Sequence, residues 1–270
     1  MALSGHQRRT DRFEMRELCK QTRIIGALMM RELITRYGRE GLGFVWLILE
    51  PMAFCLGVMG MWAILKPEYE HGVRVAPFVM TGYMGLLLFR HTISSFAGAI
   101  QANVGLIHHR RVKPLHIYLS RGVLEVAGGA VAYVIIYITL LIIGSVSPPS
   151  DYLTLFGGYL LMAWLAVGFG ISLAALSLKF EIVERIVPVV MYLMIPLSGA
   201  FIMVDWIPYA YQKIYLLIPM PHTIEMMRSS VFGEFVPTHY NPLYPLYFGA
   251  VMNVFGLTML SYTQKFIEID

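Results

Sequence analysis

Residues 152–178, YLTLFGGYLLMAWLAVGFGISLAALSL, contain no charged side chain. A helix needs about 20 mostly apolar residues to cross the hydrocarbon core of a bilayer, so this stretch is long enough to span one. The rest of the chain points the same way. Of its 270 residues 57% are hydrophobic and 14% charged, and the mean hydropathy is +0.63. Soluble domains carry about 45–50% apolar and roughly 25% charged residues. An integral membrane protein follows, with lipid as the solvent its surface must satisfy.

Five more apolar stretches, near 42–65, 75–101, 116–146, 186–204 and 243–263, predict an all-α membrane protein with six transmembrane helices. Six spans put both termini on one side, and the distribution of Lys and Arg decides which. Sixteen of them fall on the side of the N-terminus, nine within residues 1–41 alone. Four fall on the other side (Lys66, Arg74, Lys213 and Arg228), and Arg90 lies inside a span. Cytoplasmic loops carry the excess of positive charge, so the N-terminal region 1–41 and the tail 265–270 are expected in the cytoplasm. The first apolar run begins near Leu42, behind a long charged segment, so no secretory leader is expected. The two cysteines imply no disulfide framework.

Within 1–41, Met30, Leu33, Ile34 and Tyr37 recur at helical spacing, while Arg31, Glu32, Thr35, Arg36 and Arg39 occupy the opposite face. A basic amphipathic helix just ahead of a first span lies in the headgroup plane, so an N-terminal interface helix is expected, with Arg31, Arg36, Tyr37 and Arg39 at the surface. Residues 206–235 read differently. WIPYAYQKIYLLIP is apolar and aromatic, but Pro208, Pro219 and Pro221 bound it. About eleven helical residues cover less than about 20 Å, too little to cross. A re-entrant outer hairpin before the last helix is expected there, with an ordinary outer loop as the alternative. In the fourth span Ala166, Gly170 and Ala174 recur every four residues, which lets helices approach closely.

The chemistry is sparse. No lysine follows a glycine, so the phosphate-cradling loop of P-loop ATPases is missing. ATP-driven transport would need its ATPase in another chain. His108 and His109 are adjacent, a spacing that does not aim two rings at one metal. Ser198 in the fifth span has no histidine at comparable depth, so neither a metal site nor a catalytic residue is assigned. The positive charge follows membrane topology and indicates no nucleic-acid partner.

Charges inside apolar spans are more informative, because each costs about 2.5–3.5 kcal/mol at mid-bilayer and must face a partner or a water-filled path. Glu50, followed by Pro51, sits in the first span and Arg90 in the second. Arg121 and Glu125, one turn apart, are expected to pair near the cytoplasmic interface. Arg90 is the leading pathway residue, with an ion pair to Glu50 as the alternative. Trp46, Phe54, Tyr83, Tyr192 and Phe201 are aromatic candidates for the same path, although aromatic side chains also anchor spans at interfaces. The basic stretch NVGLIHHRRVKPL, residues 103–115, is placed between the second and third spans on the cytoplasmic side. Its apolar turn Gly105–Leu106–Ile107 is not needed for anchoring and suits a docking surface. Pro114 marks a helix boundary.

Three segments then show a resemblance. RELITRYGREGLGFVWLILEP, QANVGLIHHRRVKPLHIYLSRGVLE and IPMPHTIEMMRSSVFGE, in this order, resemble the ABC-2 type polysaccharide export permeases, and look most like those exporting capsular polysaccharide. The resemblance extends over most of the chain; Arg90 and His91 lie outside its pattern. It implies an ABC-2 transmembrane domain over 42–264, in a homodimer bound to two copies of a cytoplasmic ATPase that holds the ATP and Mg. No cofactor is implied in this chain. Residues 104–114, including Gly105, Leu106, Ile107, His108, His109, Arg110 and Arg111, become the ATPase-coupling helix. A second cytoplasmic loop contributes Glu181, Glu184 and Arg185, and residues 206–235 cap the exit. The cargo implied is a lipid-linked polysaccharide crossing the bacterial inner membrane, with a periplasmic co-polymerase and an outer-membrane channel as further partners. Two other readings stay open: an exporter of O-antigen or teichoic-acid-type glycan, and a membrane enzyme or scaffold in glycan assembly.

Overall fold

The computed structural model describes residues 3–37, 43–107 and 112–267. Its long helices are α1 (Leu3–Tyr37), α2 (Gly43–Leu65), α3 (Val75–Phe96), α5 (Pro114–Ile142), α6 (Tyr152–Ser177), α7 (Glu181–Leu197) and α10 (Leu243–Ile267). Three short helices join them: α4 (Val104–Ile107), α8 (Tyr209–Tyr215) and α9 (Pro219–Phe232). A two-stranded hairpin, β1 (Tyr69–Glu70) and β2 (Val73–Arg74), closes the link from α2 to α3. Among the described residues four helices, α2, α5, α6 and α10, are long and apolar enough to cross a membrane.

Local chemistry explains several ends. Asp151 caps α6, its carboxylate accepting from the amides of Leu153 at 2.9 Å and Thr154 at 3.3 Å, which satisfies donors that a helix start leaves open. Pro114 opens α5, where its missing N–H costs nothing. α3 stops at Phe96, short of the expected 101, because Gly98 takes φ +64°, a conformation that an L side chain rarely adopts. α7 begins at Glu181 and ends at Leu197, both earlier than the expected 186–204.

The central helix is α3, although it is not among the four most apolar. It packs against α2, α5, α6 and α9, and it is buried along nearly its whole length. Its small residues make this possible: a Cβ on Gly82 would stand 2.1 Å from the carbonyl oxygen of Ala200. α6 is the second organiser, packing on α10, α9, α3 and α7. Ala166, Gly170 and Ala174 are buried in it, with the ring of Phe96 against Gly170. α6 also meets α10 closely: a Cβ on Gly256 would come within 2.9 Å of the Ser172 amide.

The apolar interior falls into two parts. The larger follows α3, α5, α6 and α9. The smaller gathers Leu28, Phe96, Ile100, Ile117, Tyr118, Ile171 and Leu260, joining α1 to the ends of α3, α5, α6 and α10 on the side expected to be cytoplasmic. Against it, α1 turns Leu28 and Glu32 inward, 6% and 5% exposed, while Met30 and Ile34 stay exposed. Of the apolar face expected on α1, Met30 and Ile34 are thus exposed and Leu33 is half-buried. Glu32, expected on the wet face, is buried because Arg121 and Asn103 meet it there.

Candidate functional site

Two groups of candidate residues carry the functional expectations, one along the helices expected to span and one at the ends expected to be cytoplasmic. Along the spans, Trp46, Glu50 and Phe54 share one face of α2 at intervals of four residues. Trp46 and Phe54 are more than half exposed, and Glu50 is half-buried. On α3, Tyr83 and Arg90 are two turns apart and close enough to interact electrostatically. The guanidinium of Arg90 lies 5.2 Å from the ring centre of Tyr192 on α7, a cation–π arrangement. This ring, and not the carboxylate of Glu50, is the close partner of Arg90. Glu50 instead acts electrostatically on the neighbouring His91. Tyr83 meets Phe201 at 5.8 Å between ring centres, and Phe201 stacks on Trp62 at 5.5 Å.

So Tyr83, Arg90, Tyr192 and Phe201 come together between α3 and the α7 end, with Glu50 beside them through His91. Trp46 and Phe54 remain on the open face of α2. This region pairs flat aromatic faces with a guanidinium and a carboxylate in an apolar body, a combination able to hold sugar rings and polar or charged groups.

At the ends expected to be cytoplasmic, the link from α3 to α5 runs through a tight turn at Gln101–Asn103 and then α4. Leu106 and Ile107 are half-buried against the smaller apolar core, while Val104 and Gly105 are exposed. His108, His109, Arg110 and Arg111 lie outside the described residues. At the start of α5 the Lys113 amide donates to Nδ1 of His116 at 3.1 Å. Glu181, Glu184 and Arg185 form the exposed first turn of α7 rather than a loop. The two acids suit the positive end of a helix dipole. Oε1 of Glu184 would lie 3.9 Å from a Cβ on Gly98, so this turn abuts the α3–α5 link. Of the interface-helix residues, Arg31 is half-buried and donates to Oδ1 of Asn103. Arg39 and the side chains of Arg36 and Tyr37 lie outside the described residues.

Two buried clusters escaped the sequence. Arg121, expected to pair with Glu125, forms a close ion pair with Glu32: Oε1 accepts from Nη2 at 2.9 Å and Nε at 3.1 Å. The second lies in the 206–235 segment, where α8 is exposed but α9 is buried against α3 and α6. Arg228, counted from sequence among outer-loop charges, is fully buried. Its Nη1 donates to the carbonyls of Gly199 and Ile202 at 2.8 and 3.0 Å, and its Nη2 to Ala200 at 2.7 Å. Phe78 underlies the guanidinium at 4.0 Å, and Glu225 lies 3.6 Å away. Glu225 in turn accepts from the amides of Val204 and His239. The spacing Glu225–Arg228, i to i+3 in IEMMRSS, was the signal available for this cluster.

Several helices long and apolar enough to cross a membrane, with a polar, aromatic face among them, describe a helical membrane protein. The chain belongs to the ABC-2 type transporter family, which matches residues 23–232. It is 38% identical over 251 residues to the capsule polysaccharide export inner-membrane protein CtrC of Neisseria meningitidis serogroup B, covering 93% of this chain and 95% of that protein. It is 34% identical over 251 residues to the capsule polysaccharide export inner-membrane protein BexB of Haemophilus influenzae, with the same coverage. A third relative is the polysialic acid transport protein KpsM of Escherichia coli, 27% identical over 239 residues, 87% of this chain and 91% of that one.

Proposed function

We propose that this chain is the permease subunit of an ATP-driven exporter that moves lipid-linked capsular polysaccharide from the cytoplasm to the periplasm. The observation that carries the cargo is the near-full-length similarity to capsule export proteins. The path is supported by the face that brings Arg90, Tyr192, Tyr83 and Phe201 together, with Glu50 next to it. Half-buried charge on membrane-spanning helices is expensive against lipid. A second copy of the chain facing this side turns it into a wet channel and covers the exposed α2 residues Trp46 and Phe54. Aromatic rings then stack on sugar faces, and Arg90 and Glu50 hydrogen-bond to the polymer.

In this reading α2, α3, α5, α6, α7 and α10 are the six spans, with both termini in the cytoplasm of a bacterial inner-membrane protein. α1 lies at the membrane surface with Met30 and Ile34 in the headgroup layer. α8 and α9 form the re-entrant outer hairpin; the 14 residues of α9 reach about 21 Å, short of a bilayer core of about 30 Å. Residues 104–114 dock into a separate ATPase that binds ATP and Mg, one for each of two permease copies. A periplasmic co-polymerase and an outer-membrane channel continue the route.

Deleting the chain tests this directly. Polymer should accumulate inside the cell and vanish from the surface, with synthesis intact. Failure of synthesis itself would instead favour a role in glycan assembly. Arg90→Ala should lower surface polymer while the subunit still accumulates and binds its ATPase; wild-type surface levels would remove Arg90 from the path. A cysteine in place of Lys213 should react with impermeant reagents from the periplasm, and labelling from the cytoplasm would overturn the six-span topology.

A further inference from the structure

The α3–α5 link and the interface helix are joined by a buried polar cluster. Glu32 of α1, Asn103 of the link and Arg121 of α5 are 5%, 3% and 6% exposed. One oxygen of Glu32 accepts from Arg121 Nε and Nη2 and from Asn103 Nδ2 at 3.3 Å. Arg121 Nη1 donates to the carbonyl of Ser95 in the last turn of α3 at 2.6 Å. Asn103 Nδ2 also donates to the carbonyl of Ala99 at 2.8 Å, and Arg31 donates to its Oδ1. Three segments remote in sequence, α1, the link and α5, thus meet at a single carboxylate.

The position of Asn103 gives the cluster its meaning. It directly precedes α4, whose Leu106 and Ile107 rest on the smaller apolar core, and the 108–111 segment follows. Apolar packing alone resists separation but allows sliding. Charge-assisted hydrogen bonds are directional, so they fix the angle of α4 against α1 and α5. Such a buried pair is weak grounds for stability, because an apolar replacement of the same volume often serves as well.

We infer that the Glu32–Asn103–Arg121 cluster is the positioning node through which movement of α4 is passed to α1 and α5. This rests on the export reading above. A displacement imposed by the ATPase on residues 104–114 reaches Asn103 first. It is then delivered at once to the interface helix and to the head of a spanning helix, which move with α4 as one body.

The test compares ATP hydrolysis with export in the intact permease–ATPase complex. Asn103→Ala cuts the link to α4 and leaves the Glu32–Arg121 pair in place. Surface polymer, per copy of complex in the membrane, should fall about fivefold, within the range by which coupling residues act. Hydrolysis of Mg-ATP by the complex purified from the same membranes, and recovery of the ATPase with it, should stay at the wild-type level. Arg31→Gln, on the half-buried rim, should give a smaller loss of the same kind and serves if Asn103→Ala accumulates poorly. Export and hydrolysis falling together in both variants, or export unchanged in both, would overturn the node. Wild-type cells that export no polymer would overturn the export reading, and the node with it.

Discussion

Arg228 and Arg121 are both buried arginines with a buried glutamate partner, yet they are built in opposite ways. Arg228 and Glu225 are one turn apart on α9. Both terminal nitrogens of the guanidinium donate to the carbonyls of a single neighbouring loop, those of Gly199, Ala200 and Ile202. Arg121 and Glu32 are 89 residues apart and tie separate helices through side chains. The Arg228 cluster, on the side expected to be outer, locks a backbone that has no helix to satisfy it. The Arg121 cluster holds together elements that are each well formed without it. The first belongs to stability, the second to communication, and the difference is open to experiment.

The largest effect is expected at Arg228. Replacing it with Met strands the carboxylate of Glu225, a change that costs about 3–5 kcal/mol for a buried pair, and leaves the carbonyls it served without that donor. Thermal unfolding in detergent should show a strongly destabilised subunit. The sharper version changes both partners. Glu225→Met with Arg228→Met should remain destabilised, because unpaired buried carbonyls cost about 1–3 kcal/mol each. Glu32→Met with Arg121→Met should lie near wild-type stability, as apolar replacement of a buried pair is often neutral, and should still lose export. Equal stability losses in the two double variants would erase the distinction.

Gly82→Ala comes next. Its new methyl meets the Ala200 carbonyl and Arg228 Nη2, so it presses on the outer lock without removing a charge. Overpacking of this kind costs about 1–3 kcal/mol, and the unfolding temperature should fall less than in Arg228→Met. A wild-type unfolding temperature would show that the loop at 199–202 yields freely.

The smallest effect is at Asp151, away from both clusters. The hydroxyl of Thr154 and the amide of Leu153 hold its carboxyl below the usual carboxylate range. A depressed folded-state pKa means that the ionised cap stabilises at pH above the unfolded value and that this contribution fades as pH falls through the folded value. Asp151→Ala should therefore unfold slightly below wild type at pH 7, with the gap closing in acid below about pH 4, the ordinary carboxylate range. A gap independent of pH would assign the effect to lost shape rather than charge.

These contrasts explain what was legible in the sequence. The charge-free run at 152–178 announced α6 and its length, because hydropathy reports how well a helix suits lipid. The same measure understated α3, whose surroundings are protein, so its Gly82, Thr81 and Ser95 meet neighbours instead of hydrocarbon. Arg90 stood out because one charge in an apolar run must be answered by something. That Tyr192 answers it, and not Glu50, depends on how α7 is set against α3. Glu32 looked like a solvated residue because its partners, Asn103 and Arg121, are brought to it only by folding. Arg228 was taken as a topological charge because its ligands are backbone carbonyls, which no side-chain pattern records.

Affinity purification of the tagged chain from its native membrane, followed by mass measurement of the intact assembly, tests the export reading most directly. The expected result is two copies of the 30.6 kDa chain with two copies of an ATPase bearing a phosphate-binding loop. A single copy recovered without an ATPase, or held with sugar-transferring enzymes instead, would contradict it.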